Sequence, residues 1–391
     1  MLINFLKEKN MKFFKYLFVL LSLILMISCG GDEEEEDWGN DGDTSNGDDN
    51  NNAMENWEIT LEGITEIEVI AIDLNDKILV AGNTFSNLYS DLSGKSDPFV
   101  AKFDSEGQIL WGKQWGVAVN HSSMNSVLSL STDIEENVYL TGYSNPFILK
   151  LSSSGTKIWE IVPKFEEAHI RTHTLDESNN VYVGIYDEYN ENIGDIIKYS
   201  KDGKELQRYN ISNKSTNETR VKTLAVDQEK NIYAGGRTSM NLFSENVGKD
   251  DAFLVKISPD GTILWSKQWG SKGDDSVDHI IVDNENNIYV VVNIESKFSS
   301  EQEQLLKFSY DGNKLWGTNQ NCASATMCND GNIYCINKNQ IDKYNSSGKY
   351  LGSSANYEFD YFSQLTCDSK ENIYTVTSNN TIIKIPTSKI K

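Results

Sequence analysis

A chain of 391 residues, 38% hydrophobic and with only 5 prolines, carries enough apolar material for one large repeat domain or two ordinary ones. Its formal net charge of -23 argues against nucleic acid and anionic membrane surfaces as partners, and leaves cationic ligands, divalent metals and basic proteins open. Tyr, Phe, Trp, Ile and Val are plentiful, and Asn and Gly fall in short clusters, the composition of strands joined by tight turns.

Residues 1–28 read as a targeting segment rather than as part of the fold. Lys7, Lys9, Lys12 and Lys15 make a basic start, and the apolar run from Leu17 to Ile27 is too short to span a bilayer as a helix. The run ends in Met26, Ile27, Ser28, Cys29 and Gly30, which resembles a bacterial lipobox in which Cys29 would receive the lipid. Met26 stands where such boxes usually carry Leu. Loss of this segment removes four Lys and one Glu, taking the net charge from -23 to -26. Residues 29–55 open with the acidic run Asp32, Glu33, Glu34, Glu35, Glu36, Asp37 and continue in Asn, Asp and Gly. They bury too little apolar surface to offset their ordering entropy, so a disordered tether is expected. The acidic run also resembles the export signal of surface-displayed lipoproteins.

From residue 56 to 391 one unit recurs. Its first mark is an Asp, a polar turn, then Asn, Ile or Val, Tyr and a β-branched run, seen at Asp133 to Tyr139, Asp176 to Tyr182, Asp227 to Tyr233, Asp283 to Tyr289 and Asp368 to Tyr374. Asn329 to Tyr334 is a variant in which the Asp is replaced, and Asp73 to Leu79 is a degenerate first copy, which makes seven. The second mark is an apolar strand ending in Lys, a turn with Gly, then Leu or Ile and often Trp, as in Phe99 to Trp111, Phe147 to Trp159, Phe253 to Trp265 and Leu305 to Trp316. Each unit therefore predicts four strands, A to D. In the fifth unit they are Val277 to Val282, Asn287 to Asn293, Gln304 to Ser309 and Lys314 to Thr318. Apolar runs such as Ile288 to Val292 suit sheets covered on both faces, and a ring leaves no face uncovered. The seventh unit stops after Ile382, Ile383, Lys384 and Ile385, and Trp57 to Leu61 is the candidate for its missing strand D. The fold class is all-β: a seven-bladed β-propeller of four-stranded antiparallel blades, closed by the N-terminal strand.

The stretch Asp251, Ala252, Phe253, Leu254, Val255, Lys256, Ile257, Ser258, Pro259, Asp260, Gly261, followed by Leu264, Trp265, Gly273, Asp274, Asp275, Asp283, Asn287, Ile288 and Tyr289, resembles the SBBP repeat of bacterial seven-bladed propellers, and Asp97 to Trp111 is a second copy. The resemblance implies the fold. That family has no single activity or shared catalytic set to carry over.

The residues that could carry chemistry each have a structural reading beside the functional one. The repeated Asp is expected to accept hydrogen bonds from its own turn rather than to join a ligand ring. Trp111 with Trp115, and Trp265 with Trp269, share one face of strand D and are expected to pack between blades rather than to stack sugars. His169 and His173 are placed on one strand face, with His279 at a related position. Asp274, Asp275 and Asp278 cluster in the loop entering the fifth unit. Neither set has a recognisable metal-ligand spacing, and no metal or cofactor is expected. Cys322, Cys328, Cys335 and Cys367 permit disulfides in three connectivities, with buried free thiols an equal alternative. Across adjacent units, Cys328 and Cys367 are expected to sit near or beyond bridging distance.

The long connections between strands B and C and between D and A share one rim, at Asn83 to Ser96, Trp115 to Asn125, Ile185 to Gly194, Tyr209 to Thr219 and Arg237 to Lys249. They carry Phe85, Tyr89, Tyr186, Tyr189 and Phe243, either as aromatic anchors of a binding face or folded back onto their blades. The functional expectation is a monomeric, lipid-anchored propeller of the cell envelope that binds a protein or glycan on this rim and is not an enzyme. One alternative is an accessory lipoprotein of outer-membrane barrel assembly, which shares the plan of lipid anchor plus propeller. The other is a propeller lyase, hydrolase or quinoprotein, which should gather His, Arg, Tyr and carboxylates at the mouth of the central channel.

Overall fold

The computed structural model describes residues 57–61, 64–116, 126–143, 146–163, 168–187, 196–211, 219–294, 303–359 and 363–391. The targeting segment, Cys29 and the tether lie outside the described residues. Seven sheets are present, each of four antiparallel strands in the order A-B-C-D. The fifth blade runs Asp275–Val282, Ile288–Ile294, Leu305–Phe308 and Lys314–Thr318, within two residues of the sequence-based boundaries. The seventh blade takes A, B and C from Leu365–Cys367, Asn372–Val376 and Thr381–Pro386, and its strand D is Glu58–Thr60 from the other end of the ring. The seven A strands touch one another in order, and the first touches the last. They therefore surround the axis, and the D strands lie outside.

In strand B of each blade the apolar side chains of both faces are buried, for example Ile288, Val290, Val291 and Val292 of blade 5. Alternate residues pack against opposite neighbours, so burial requires a blade on each side. Strand D begins instead with exposed side chains such as Leu110, Leu264 and Leu315, because the outer edge meets water.

The repeated polar residues anchor each blade from inside. In blade 2, Asp133 accepts from the backbone N–H of Glu135 (3.0 Å) and Asn137 (2.9 Å), from the Asn137 amide (2.9 Å) and from the Tyr139 hydroxyl (3.0 Å). Lys150 of strand C completes the set at 3.4 Å from Asp133 and 4.8 Å from the Tyr139 ring centre. Burial pushes the Asp133 carboxyl up, but these hydrogen bonds and the Lys150 charge outweigh it and leave it below its ordinary value. The aspartates are thus occupied by their own turns, as expected. Where Leu79 replaces the Tyr in blade 1, Lys102 closes on Asp73 to 2.7 Å. In blade 6 the position of the Asp is taken by Cys328, and Asp330, inside the turn, accepts from Tyr334 (2.7 Å) and Asn332 (2.7 Å) in its stead.

Blades are joined by an indole clasp. The Nε1 of Trp111, Trp159, Trp265, Trp316 and Trp57 each donates to a backbone carbonyl in the C–D turn of the next blade, at 2.9 to 3.1 Å. Tyr209 replaces the indole in blade 3 and donates its hydroxyl to Pro259 at 3.2 Å. The turn that receives the indole carries a glycine at positive φ; a Cβ on Gly312 (φ 79) would lie 2.7 Å from Trp265. The packing role expected for these tryptophans is what the structure shows, with Trp115 set edge-on to Phe147 and Trp269 tilted against Phe308. Blade 7 has no C–D turn, so the junction from blade 6 to blade 7 has no such clasp. There Lys391 pairs with Ser353 of the outer strand of blade 6, and a disulfide joins Cys328 to Cys367.

Both cysteine pairs are disulfides, Cys322–Cys335 and Cys328–Cys367, with Cα separations of 5.5 and 5.6 Å. The expectation that the second pair would lie near or past bridging range is corrected. Both members sit at the inner, A-strand side of their blades, where neighbouring sheets approach most closely.

Two variants separate the components of the clasp. Trp265→Phe keeps the ring packing and loses one hydrogen bond, which should cost about 1 kcal/mol in urea unfolding. Gly312→Ala both forces a positive φ on alanine and drives a methyl into Trp265, and should cost more than that.

Candidate functional site

In five of the seven A strands the ladder to strand B skips a residue at the same place: Glu68, Leu128, Arg171, Lys222 and Asp278. Such bulges re-aim side chains, and here they turn inward. Each of these residues lies five positions before the turn Asp of its blade. Counting likewise from Cys328 and Asp368 gives Ala323 and Ser363 in blades 6 and 7. All seven line a single cavity of about 510 Å³ at the mouth of the channel. Glycines on strand B make room for the bulged backbone: a Cβ on Gly82 would meet the Glu66 carbonyl oxygen at 2.1 Å, and one on Gly236 the Arg220 carbonyl oxygen at 1.9 Å.

The ring of side chains is polarised. Arg171 and Lys222, on adjacent blades, supply positive charge; Asp278 follows on blade 5 and Glu68 stands on blade 1. Lys222 is paired, donating to Asp278 and to Ser276 (3.0 Å), while Ser276 donates to Asp278 at 2.6 Å. Burial lowers the Lys222 ammonium, against the pull of Asp278. Arg171 has no carboxylate within ion-pair distance among the described residues, and its buried Nε has no hydrogen-bond partner. Its guanidinium lies 5.1 Å from the centre of the Tyr143 ring, which is itself stacked on His169 at 4.2 Å. Glu68 accepts from the Val127 N–H at 2.8 Å, and burial raises its carboxyl to about 7. The imidazole of His279 also lines the mouth, and burial pushes it below its ordinary value, against the pull of Asp278.

The structure redistributes the residues singled out in the sequence. His169 and His173 do not share a face. They pair with Tyr186 and Val183, an odd separation, because the bulge at Arg171 flips the alternation. His173 is locked between Ser131 (2.7 Å) and Thr141 (3.2 Å), and burial lowers it to about 3. The three loop aspartates go to different partners: Asp274 to Lys249, Asp275 to Ser271 and Asp278 to Lys222. No three His, Cys, Asp or Glu side chains converge as a metal site among the described residues.

On the rim, Phe85 is 44% exposed. Tyr89 covers Gly112 beside Phe99, and burial raises its hydroxyl to about 12. Phe243 packs edge-on to Phe253. Tyr186 is in strand B of blade 3, Val181–Asp187, and Tyr189 lies outside the described residues. Glu68, Arg171 and Lys222 escaped the sequence reading. Their signal was available in the alignment of the seven units, as a position where Glu, Leu, Arg, Lys, Asp, Ala and Ser alternate within otherwise similar apolar strands.

No protein-family model matches the chain, so the specific SBBP repeat assignment is not shown, and no curated protein matches it in sequence. Among solved structures it is similar to virginiamycin B lyase from Staphylococcus aureus, with 14% identity over 84% of this chain and 98% of the other and a TM-score of 0.58. A catalytically inactive histidine-to-alanine variant of that lyase with quinupristin gives 13% identity, the same coverage and a TM-score of 0.59. The WD40 domain of Neurospora crassa Pan2 gives 10% identity over 81% of this chain and 88% of that one, with a TM-score of 0.55. At these identities the likeness establishes the fold. It also corrects the expectation that the chain is not an enzyme, because lyases as well as WD40 domains are built on such rings; of the groups expected of a catalytic propeller, the channel mouth gathers His, Arg and carboxylates, with no Tyr among its described lining residues.

The raised carboxyl of Glu68 gives a signed prediction. Between about pH 4.5 and 7 the folded protein holds a proton that the unfolded chain has released, so this contribution to stability is complete below 4.5 and is lost as the pH rises through 7. Glu68→Gln keeps an acceptor for Val127 and cannot titrate. Its stability relative to the parent protein should rise by up to about 3 kcal/mol from pH 4.5 to 8 in denaturant unfolding, and a difference flat with pH would refute the assignment.

Proposed function

We propose that this propeller takes a small polar molecule into the mouth of its central channel and that Glu68 acts on it there as an acid–base group. The observation that supports this best is the fivefold bulge, which directs a chemically varied position of the repeat into one cavity. Bulges are over-represented next to active sites, where they re-aim a side chain. A carboxyl near 7 exchanges protons readily at neutral pH, and Arg171, Lys222 and His279 supply charge and hydrogen bonds around it. A lyase reaction, the class named for the similar propellers, requires such a base.

Quinupristin, the compound present with the lyase variant, is the first candidate, followed by a small-molecule library read by mass spectrometry. Glu68→Gln should reduce turnover of any hit by 10²- to 10⁴-fold, the usual range for general acid–base catalysis, while retaining its thermal shift. Turnover undiminished in Glu68→Gln would remove Glu68 from the chemistry.

A second reading concerns the rim. The loops between strands B and C of blades 1 and 4 fold alike, each hung on one glutamine: Gln114 Oε1 accepts from Leu88 and Tyr89 (2.9 and 3.0 Å), and Gln268 Oε1 from Leu242 and Phe243 (both 2.9 Å). They leave Phe85 and Val247 exposed, and we propose them as contacts for a protein or glycan. The envelope location, by a lipid on Cys29, is likewise proposed from the sequence, and whole-cell protease shaving tests it.

A further inference from the structure

The geometry points to a carboxylate as the group by which the channel-mouth ligand is held, received by the guanidinium of Arg171. This rests on the reading of the mouth as a ligand site and names the ligand's chemical class.

Three observations converge on Arg171. It is one of the five bulged residues, so its backbone departs from the ladder to aim it into the cavity. Its Nε is buried without an acceptor, and an arginine can neither lose its proton nor leave a buried donor unpaired without cost. Its neighbour Lys222, by contrast, is already balanced by Asp278 and Ser276. Among the described residues, Arg171 is therefore a fork-shaped cation without a carboxylate partner, and it lines the cavity. The Tyr143 ring, stacked on His169, lies against the guanidinium and restricts its orientation.

A planar oxyanion satisfies that fork with two parallel hydrogen bonds. A carboxylate is favoured over phosphate by charge. With Lys222 already paired to Asp278, one guanidinium is left to meet the ligand, which matches a monoanion, and the whole chain carries a net charge of -23, so a dianion meets more repulsion than one guanidinium offsets. The wall opposite the cations is formed by Ala323 and Ser363, with Asn321 and Gln364 beside them. The small side chains leave room there for the body of the ligand, and the amides offer it hydrogen bonds.

The probes are acetate, benzoate and N-acetylglycine, with inorganic phosphate as the rival anion, titrated into the folded ring by calorimetry and thermal shift at constant ionic strength. The carboxylates should bind more tightly than phosphate, and Arg171→Gln should weaken them at least 10-fold. Arg171→Lys, which keeps the charge and loses the fork, should recover only part of that affinity. Carboxylate affinity within twofold of the parent protein in folded Arg171→Gln, or a preference for phosphate, would overturn the assignment. If Glu68→Gln still abolishes turnover of a library hit in that case, only the role of Arg171 falls. If no probe or library compound binds at the mouth, the reading of the site falls with it.

Discussion

A four-stranded sheet that is apolar on both faces is unstable in water by itself, and the rest of this molecule is arranged around that constraint. Strand B of each blade contributes side chains to two neighbouring interfaces at once, so no blade can be removed without exposing two others. Closure then becomes a requirement. The pairing of Glu58–Thr60 with Thr381–Pro386 joins the two ends of the ring in one sheet, so the last blade is covered by the first. The indole clasp adds direction to this packing: a donor on the outer strand of one blade and a carbonyl on the turn of the next fix their relative height as well as their contact.

Buried charge is the second requirement. Lys256 and Asp227 have no exposed side-chain surface, yet they stand 3.7 Å apart at the base of blade 4. A buried ion pair is weak evidence for stability by itself. Here the carboxylate also closes the A–B turn through Asn231 and holds the Tyr233 hydroxyl, so the pair determines where strand A ends and strand B begins. The repeat Asp is best understood as the group that sets this register, with Lys and Tyr keeping it satisfied after burial.

The fold was largely legible in the sequence because these requirements recur at fixed spacing. Asp, Asn, Tyr, Lys, Gly and Trp return in that order, and each has one physical task. The site was much less legible, for the opposite reason. A position whose side chain faces the axis is under no packing demand common to all blades, so it does not repeat, and a search for what recurs passes over it. The bulge compounds this. His169 and His173 are four apart and would share a face on a regular strand, but the extra residue at Arg171 separates them and sends the arginine inward instead. The glycines facing the bulges, such as Gly82 and Gly236, were the remaining trace of that backbone detour, and glycine in a strand is easily taken for a turn signal.

The uneven blades fit the same scheme. Strands Ala325–Met327 and Leu365–Cys367 are only three residues long, so blades 6 and 7 contribute little ladder near the axis. It is here that Ala323 and Ser363 keep the mouth open, and here that both disulfides lie. Cys322 lines the cavity and is tied to Cys335 on strand B of its own blade, while Cys328 ties blade 6 to blade 7 at the junction without an indole clasp. Covalent links supply at this side of the ring what hydrogen bonds and packing supply elsewhere. They allow the inner strands to be short where the cavity needs space. Rigidity on that side and charge on the other are thus two parts of one arrangement, in which blades 1, 3, 4 and 5 provide the charged groups and blades 6 and 7 the room beside them.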